Sequence, residues 1–86
     1  MKNGLIIEPS GNKYWYKDGI LHRENGPAIV LDTGYKAWLI NGLRHREDGP
    51  AIEYASGNMS WYLNGENIIC KDNEEFLRII KLKAFL

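Results

Sequence analysis

A repeat of 23 residues runs through most of the sequence and constrains the fold more than any other feature. Residues 11–33 read GNKYWYKDGILHRENGPAIVLDT, and residues 34–56 read GYKAWLINGLRHREDGPAIEYAS. A third copy begins at Gly57, keeps Trp61 and Gly65, and then diverges, while a half copy precedes the first. Such a period is typical of one small supersecondary unit stacked on copies of itself. Stacked units usually provide binding surfaces rather than catalytic pockets.

Each copy has the pattern of a β-hairpin. A short apolar run is followed by a polar turn that ends in glycine, and an aromatic run comes next. The dipeptides Asp18-Gly19, Asn41-Gly42 and Asn64-Gly65 then give a second strong turn signal. The sequence predicts one domain over residues 1–86, mainly β. We expect a single antiparallel β-meander of about three hairpin repeats over residues 3–67.

The C-terminal residues 72–86 have the pattern of a helix. Asp72 is a candidate N-cap, and Glu75 three residues later completes a capping box. One predicted apolar stripe consists of Phe76, Leu77, Ile80 and Ala84. The tryptophan-bearing face of the sheet becomes more apolar toward this end, so we expect the helix to cap that face and to shield the last edge of the sheet.

The N-terminal edge has a different character. Leu5, Ile6 and Ile7 form an apolar strand that only Glu8 and Pro9 protect. Because an unguarded edge strand pairs readily with another chain, we expect self-association here, as a symmetric homodimer, or addition of a partner's strand.

Composition narrows the classes of function. Eleven basic residues balance eleven acidic ones, which argues against non-specific nucleic-acid binding. Cys70 has no cysteine to pair with, and no apolar run is long enough for a signal peptide or a membrane span. We therefore expect a soluble cytoplasmic protein without a membrane partner.

The His-Arg-Glu triplets at residues 22–24 and 45–47 are the most suggestive polar feature. Equivalent positions in neighbouring copies lie about 10 Å apart, too far for two histidines to share one metal ion, so no metal or cofactor is expected. In one interpretation, arginine and glutamate pair between copies while histidine bonds the backbone of the Gly-Pro turn. In the other, exposed arginine tips bind a partner.

Catalysis has little support in the sequence. No nucleophile lies in a recognisable strand–turn–helix setting, and Cys70 would need a histidine brought to it by the fold. The tryptophans at 15, 38 and 61 fit core packing, with a recognition surface as the alternative. We therefore predict a protein that is not an enzyme.

The pattern Trp-x-x-x-Gly-x-x-His-Arg-Glu-x-Gly-Pro-Ala-Ile occurs at Trp15 to Ile29 and again at Trp38 to Ile52. It resembles short repeats in proteins of bacteriophages and large DNA viruses, which look like divergent relatives of the MORN repeat. This chain has His-Arg where MORN repeats have His-Gly, so the lipid binding associated with MORN proteins is not carried over. The resemblance implies a viral β-hairpin repeat module, which would act in the host cell cytoplasm.

Positions that differ between copies are free to specify a partner. We predict a protein-binding site that consists of Tyr14, Trp15, Lys17, Leu21, Arg23, Arg44 and Arg46. The predicted function is that of a viral accessory protein that binds a host protein, such as a defence component, and inhibits or redirects it. Two alternatives remain: a self-associating virion or assembly module, and a single-stranded nucleic-acid binder.

Overall fold

The fold is an antiparallel β-meander with one helix at its C-terminal end, as the sequence predicts. The computed structural model describes residues 1–85. Its elements are β1 (Gly4–Ile7), β2 (Lys13–Lys17), β3 (Ile20–Leu21), β4 (Ile29–Val30), β5 (Lys36–Ala37), β6 (Leu39–Ile40), β7 (Leu43–Arg44), β8 (Ile52–Glu53), β9 (Met59–Leu63), β10 (Glu66–Ile68) and α1 (Asn73–Lys83). The helix was predicted to continue to Leu86, which lies outside the described residues.

Strand pairing follows the repeat. The main sheet has the order β1-β2-β4-β5-β8-β9-β10, with β3 beside β2, and β6 and β7 form a separate two-stranded hairpin. Equivalent pairs recur with the period of the sequence: Ile6–Tyr14, Ile29–Ala37 and Ile52–Ser60. Each copy therefore adds the same hairpin in the same register, and the molecule grows in one direction to 43 × 29 × 17 Å.

The Asn-Gly and Asp-Gly dipeptides form the tight turns that the sequence predicts. Asn41 and Gly42 have φ of 51° and 80°, and both other dipeptides have the same left-handed conformation. Two consecutive left-handed residues define the type I′ turn, whose twist matches that of the flanking strands. Asparagine and aspartate tolerate this conformation better than most residues, and glycine adopts it without strain.

The two faces of the sheet have different roles. The face that we call the Trp face carries Leu5, Ile7, Trp15, Lys17, Trp38, Ile40, Trp61 and Leu63. The opposite face carries the larger buried cluster, in which Ala37, Leu39 and Ile52 pack with Ala28. A second cluster lies on the Trp face, where Trp61 and Ile68 pack against α1. The helix therefore covers the Trp face at its C-terminal end only.

The helix begins at the predicted cap. The Asp72 carboxylate accepts a hydrogen bond from Glu75 N at 2.9 Å, and the Glu75 carboxylate accepts one from Lys71 N at 3.1 Å. These reciprocal bonds satisfy backbone donors at the helix start, although the second donor is Lys71 rather than the capping residue itself. Glu74 and Glu75 precede Lys81 and Lys83, an order that the helix dipole favours.

The apolar stripe of α1 differs in part from the prediction. Phe76 is fully buried and its ring centroid lies 6.3 Å from that of Trp61, while Ile79 and Ile80 pack beside it. Leu77 is 39% exposed because it lies about 100° around the helix from Phe76. Ala84, the C-cap, is also exposed. The stripe therefore follows the spacing of Phe76, Ile79 and Ile80.

Beside Met59 and Ser60 of β9, the last edge of the sheet is not shielded by the helix, contrary to expectation. Met59 and Ser60 pair with β8 on one side, and no strand within residues 1–85 pairs with them on the other. Met59 is 50% exposed and lines an open cleft of about 600 Å³ together with Cys70 and Lys71. The helix packs on the Trp face and so leaves this edge open.

Phe76→Ala should remove the main contact that closes the Trp face. We expect the free energy of unfolding to fall by about 3–5 kcal/mol, because a fully buried aromatic side chain leaves a cavity. Leu77→Ala is the matched control on the same helix, with an expected loss of about 0.5 kcal/mol at a partly exposed site. Chemical denaturation followed by tryptophan fluorescence measures both, and equal losses would contradict the assigned stripe.

Candidate functional site

In the first two copies an arginine guanidinium lies over the tryptophan ring. Arg23 Cζ is 3.8 Å from the centroid of Trp15, and Arg46 Cζ is 3.9 Å from that of Trp38. The same guanidinium groups donate through Nη1 to the carbonyl oxygens of Pro27 and Pro50, each at 3.1 Å. A cation over an indole face is favourable by about 0.5–2 kcal/mol. Each arginine thus joins the strand of its copy to the following Gly-Pro turn.

The glycine of the Gly-Pro turn provides the space for this contact. A Cβ at Gly26 would lie 2.9 Å from Arg23 Cζ, and a Cβ at Gly49 would lie 2.9 Å from Arg46 Cζ. Neither glycine has a left-handed φ, so the requirement is for space rather than for backbone conformation. The repeated spacing of tryptophan, arginine and glycine therefore produces the same contact in both copies. We call it the three-layered contact, because the guanidinium group lies between the indole ring and the glycine.

The histidines connect neighbouring copies. His22 Nδ1 accepts a hydrogen bond from Asn41 N at 2.8 Å, and His45 Nδ1 accepts one from Asn64 N at 2.9 Å. Each histidine therefore bonds the tight turn of the following copy, whereas the Gly-Pro turn, which we expected it to bond, is bonded by arginine. Nδ1 is occupied in both rings, and within residues 1–85 no three His, Cys, Asp or Glu side chains are grouped to hold a metal ion.

The expected arginine–glutamate pairs between copies are also wrong. Arg46 pairs with Asp48 at 2.9 Å and with Glu53 at 3.3 Å, and both carboxylates belong to its own copy. The Arg46 side chain is only 23% exposed. The Arg46 guanidinium is therefore bonded along its edge within its own copy while it covers Trp38, so it is not a free tip for a partner.

The predicted protein-binding residues do not form one patch. Trp15, Lys17, Arg23 and Arg46 belong to the Trp face and its loops. Tyr14, Leu21 and Arg44 lie on the opposite face, where Leu21 packs against the core and Arg44 lies 5.4 Å from the Tyr62 ring centroid. Partial burial and the Glu8 carboxylate raise the pKa of Tyr14. The structure thus separates the predicted set into two surfaces.

An open cleft on the Trp face lies between the loops of the first and second copies. Its volume is about 690 Å³, and we call it the first cleft. Trp38 and Ile40 supply the apolar part of its lining. The remaining lining residues are Arg23, Glu24, Asn25, Gly26, His45, Arg46, Glu47 and Asp48. It combines an apolar surface with polar groups from two loops, as binding sites do.

The equivalent place one copy further along, the second cleft, is occupied by the protein's own helix. Phe76 packs on Trp61, which is equivalent to Trp38, and Ile80 packs near Leu63, which is equivalent to Ile40. Asn73 accepts a hydrogen bond from Trp61 Nε1 at 3.0 Å. The amide of Asn73 also approaches Asp48 O in the loop of the second copy, at 3.5 Å. The second cleft therefore shows an amphipathic helix bound to this type of surface.

Carboxylates lie on the rim of the first cleft beside two arginines, and one of these carboxylates also borders the second cleft. Glu24, Glu47 and Asp48 line the first cleft, and Arg46 already pairs with Asp48. At the second cleft, Glu47 and Lys83 of α1 line the same small hollow of about 300 Å³. This arrangement favours a helix that carries basic residues beside its apolar stripe.

Two apolar residues of this surface were not singled out from the sequence: Ile20 and Leu43. Ile20 and Leu43 are about half exposed, and each lies over the glycine of the following tight turn. The signal that could have found them is that the one repeat position directly after the tight turn is apolar in the first two copies, while the third copy has Glu66 there. They extend the apolar part of the Trp face beyond the first cleft.

Cys70 is not in the state of an activated nucleophile. Burial raises the pKa of its thiol, and the Glu75 and Asp72 carboxylates raise it further. Its Sγ donates a long hydrogen bond to Ile68 O at 3.7 Å. Neutral pH therefore favours the thiol, which is the less nucleophilic form.

Comparisons with known proteins add no relative. No family model matches the chain, and neither a curated protein nor a solved structure matches it. Within residues 1–85, no helix has the length and apolar character needed to cross a bilayer.

Gly49→Ala tests the three-layered contact. The new methyl group should displace the Arg46 guanidinium and lower the free energy of unfolding by about 1–3 kcal/mol, as other overpacking changes do. In an Arg46→Ala background the same change should cost nothing or stabilise slightly, because the obstructing group is gone. Denaturation of the four proteins of this double-mutant cycle measures the coupling, and a cost independent of Arg46 would contradict the contact.

Proposed function

We propose that this protein is a non-enzymatic binding module whose first cleft takes an amphipathic helix of a partner protein. The supporting observation is the helix α1, which fills the second cleft with Phe76 and Ile80. The first cleft is built from equivalent residues, is lined by Trp38 and Ile40, and is open. Helix-in-groove recognition depends on apolar residues that repeat along one helix face, as they do in α1.

The partner helix differs from α1 in one respect. Arg46 covers the ring of Trp38, whereas Phe76 packs against the ring of Trp61. An incoming helix therefore meets a guanidinium over the ring and contacts Ile40 directly, with the exposed Leu43 beside it. A suitable helix carries an apolar residue for Ile40 and lysine or arginine toward Glu24 and Glu47 on the rim.

The resemblance to repeats of bacteriophages and large DNA viruses supports a host protein as the partner. In this proposal the protein is a viral accessory factor that acts by occupying a helix of a host protein, such as a defence component, and so inhibits or redirects it. The state of Cys70 and the Nδ1 atoms of both histidines, which accept backbone hydrogen bonds, support a function in binding rather than in catalysis.

The test uses two substitutions that copy residues from other repeats. Ile40→Lys introduces the residue that the first copy has at the equivalent position, Lys17, and should therefore preserve the fold. It places a positive charge in the cleft, and we expect the affinity for the partner to fall at least about tenfold. Arg44→Asn copies Asn67 on the opposite face and should leave binding unchanged.

The measurement is an affinity capture from host lysate with wild type and both variants, followed by titration of a peptide that spans the captured protein's helix. Circular dichroism confirms that the variants are folded. The proposal predicts capture by wild type and Arg44→Asn, loss with Ile40→Lys, and peptide-induced NMR shifts at Trp38 and Ile40. Capture that survives Ile40→Lys, or that is lost with Arg44→Asn, would contradict the assigned cleft.

A further inference from the structure

The N-terminal strand β1 leaves one whole side unpaired. Within residues 1–85 it pairs with β2 alone, while the equivalent strands β4 and β8 each lie between two neighbours. It has four residues, whereas β4 and β8 have two each. The strand at the first edge of the sheet is therefore longer than the equivalent strands of the two following copies.

The hydrogen bonds of β1 show which residues face the open side. Glu8 N donates to Asn12 O, and Lys2 O accepts from Gly19 N, so even-numbered residues direct their backbone groups toward the neighbouring strand. In an antiparallel pair these directions alternate along the strand. The N–H and C=O groups of Leu5 and Ile7 therefore point away from β2 and have no strand partner among the described residues.

The side chains of this edge are apolar, with charges only at its two ends. Leu5 and Ile7 are 45% and 57% exposed on the Trp face. Lys2 precedes the strand, and Glu8 follows it. Edge strands are usually protected by a charge within the strand, and β1 has none.

We propose that β1 is the dimerisation surface of the protein, and that its partner is β1 of a second copy, paired antiparallel about a two-fold axis at Leu5. The two strands have a hydrogen-bonded pair on the axis only when the axis passes through a residue whose N–H and C=O groups point away from β2. Centring on Leu5 places Leu5 beside Leu5 of the second copy and Ile6 opposite the side-chain-free Gly4. In the same register, Lys2 of each copy lies opposite Glu8 of the other copy. The dimer therefore contains two such pairs of opposite charge.

The interface is small. One four-residue strand from each copy buries less than the roughly 1,000 Å² of a stable interface, so the dimer forms in a concentration-dependent equilibrium. Residues opposite each other in a sheet share a face, so both Trp faces lie on the same side of the joined sheet. This inference rests on the β1 edge alone and is independent of the first cleft.

Site-specific cross-linking tests the register. On the axis, the two residues at position 5 have Cα atoms about 5.5 Å apart, within reach of a disulfide. Leu5→Cys in a Cys70→Ser background should therefore form a covalent dimer under mild oxidation. Ile7→Cys in the same background is the control, since the two residues at position 7 lie four positions apart along the strands, about 13 Å.

A covalent dimer with Leu5→Cys and little with Ile7→Cys would support the inference. Absence of cross-linking in both variants, or equal cross-linking in both, would overturn it. Both substitutions lie at exposed positions, and circular dichroism checks that the fold is retained.

Charge reversal gives a second, independent measurement. Lys2→Glu and Glu8→Lys each place like charges together and should raise the dissociation constant of the dimer roughly threefold to tenfold. The double variant restores opposite charges and should recover the wild-type constant, as measured by sedimentation equilibrium. A monomer at every concentration, or a double variant as weak as the singles, would overturn the inference.

Discussion

A guanidinium group held between a tryptophan ring and a glycine closes each of the first two copies of the repeat. In these two copies the arginine is the main cover of the Trp face, because the larger buried cluster lies on the opposite side of the sheet. Arg46 satisfies a carbonyl of the Gly-Pro turn, covers Trp38 and pairs with two carboxylates of its own copy. A charged side chain thus performs the covering role that apolar residues perform in an ordinary core.

In the third copy a helix takes the place of the arginine over the tryptophan ring. Its triplet is Ile68-Ile69-Cys70, which lacks the arginine, and Phe76 supplies the cover for Trp61 instead. The loop of the second copy, through Asp48, then becomes one wall of the site in which α1 lies. The first copy offers an equivalent wall, and no helix within residues 1–85 occupies the first cleft, which is the site proposed above for a partner.

The period, the turns and the capped helix could be predicted from the sequence because each depends on local signals. Asn41-Gly42 specifies its own turn, and Asp72 with Glu75 specifies a helix start. The partners of Arg46 and His45 could not be predicted, because the triplet gives residue types without directions: arginine turns back over its own copy, and histidine reaches the next. The predicted binding residues lie on both faces of the sheet because side chains alternate along a strand. Tyr14 was grouped with its neighbour Trp15, although adjacent residues of a strand face opposite sides.

The most direct test of this account is an NMR measurement of the Nε–Hε groups of the arginines in the folded protein. If guanidinium groups lie over the rings of Trp15 and Trp38, the Hε protons of Arg23 and Arg46 should be shifted upfield by the ring currents. Arg78, which pairs with Glu74 on the exposed side of α1, supplies the unshifted reference. The predicted result is upfield shifts at Arg23 and Arg46 that exceed any shift at Arg44, whose guanidinium lies farther from its aromatic ring, at 5.4 Å from the Tyr62 centroid. Unshifted resonances for both would contradict the contact on which the repeat depends.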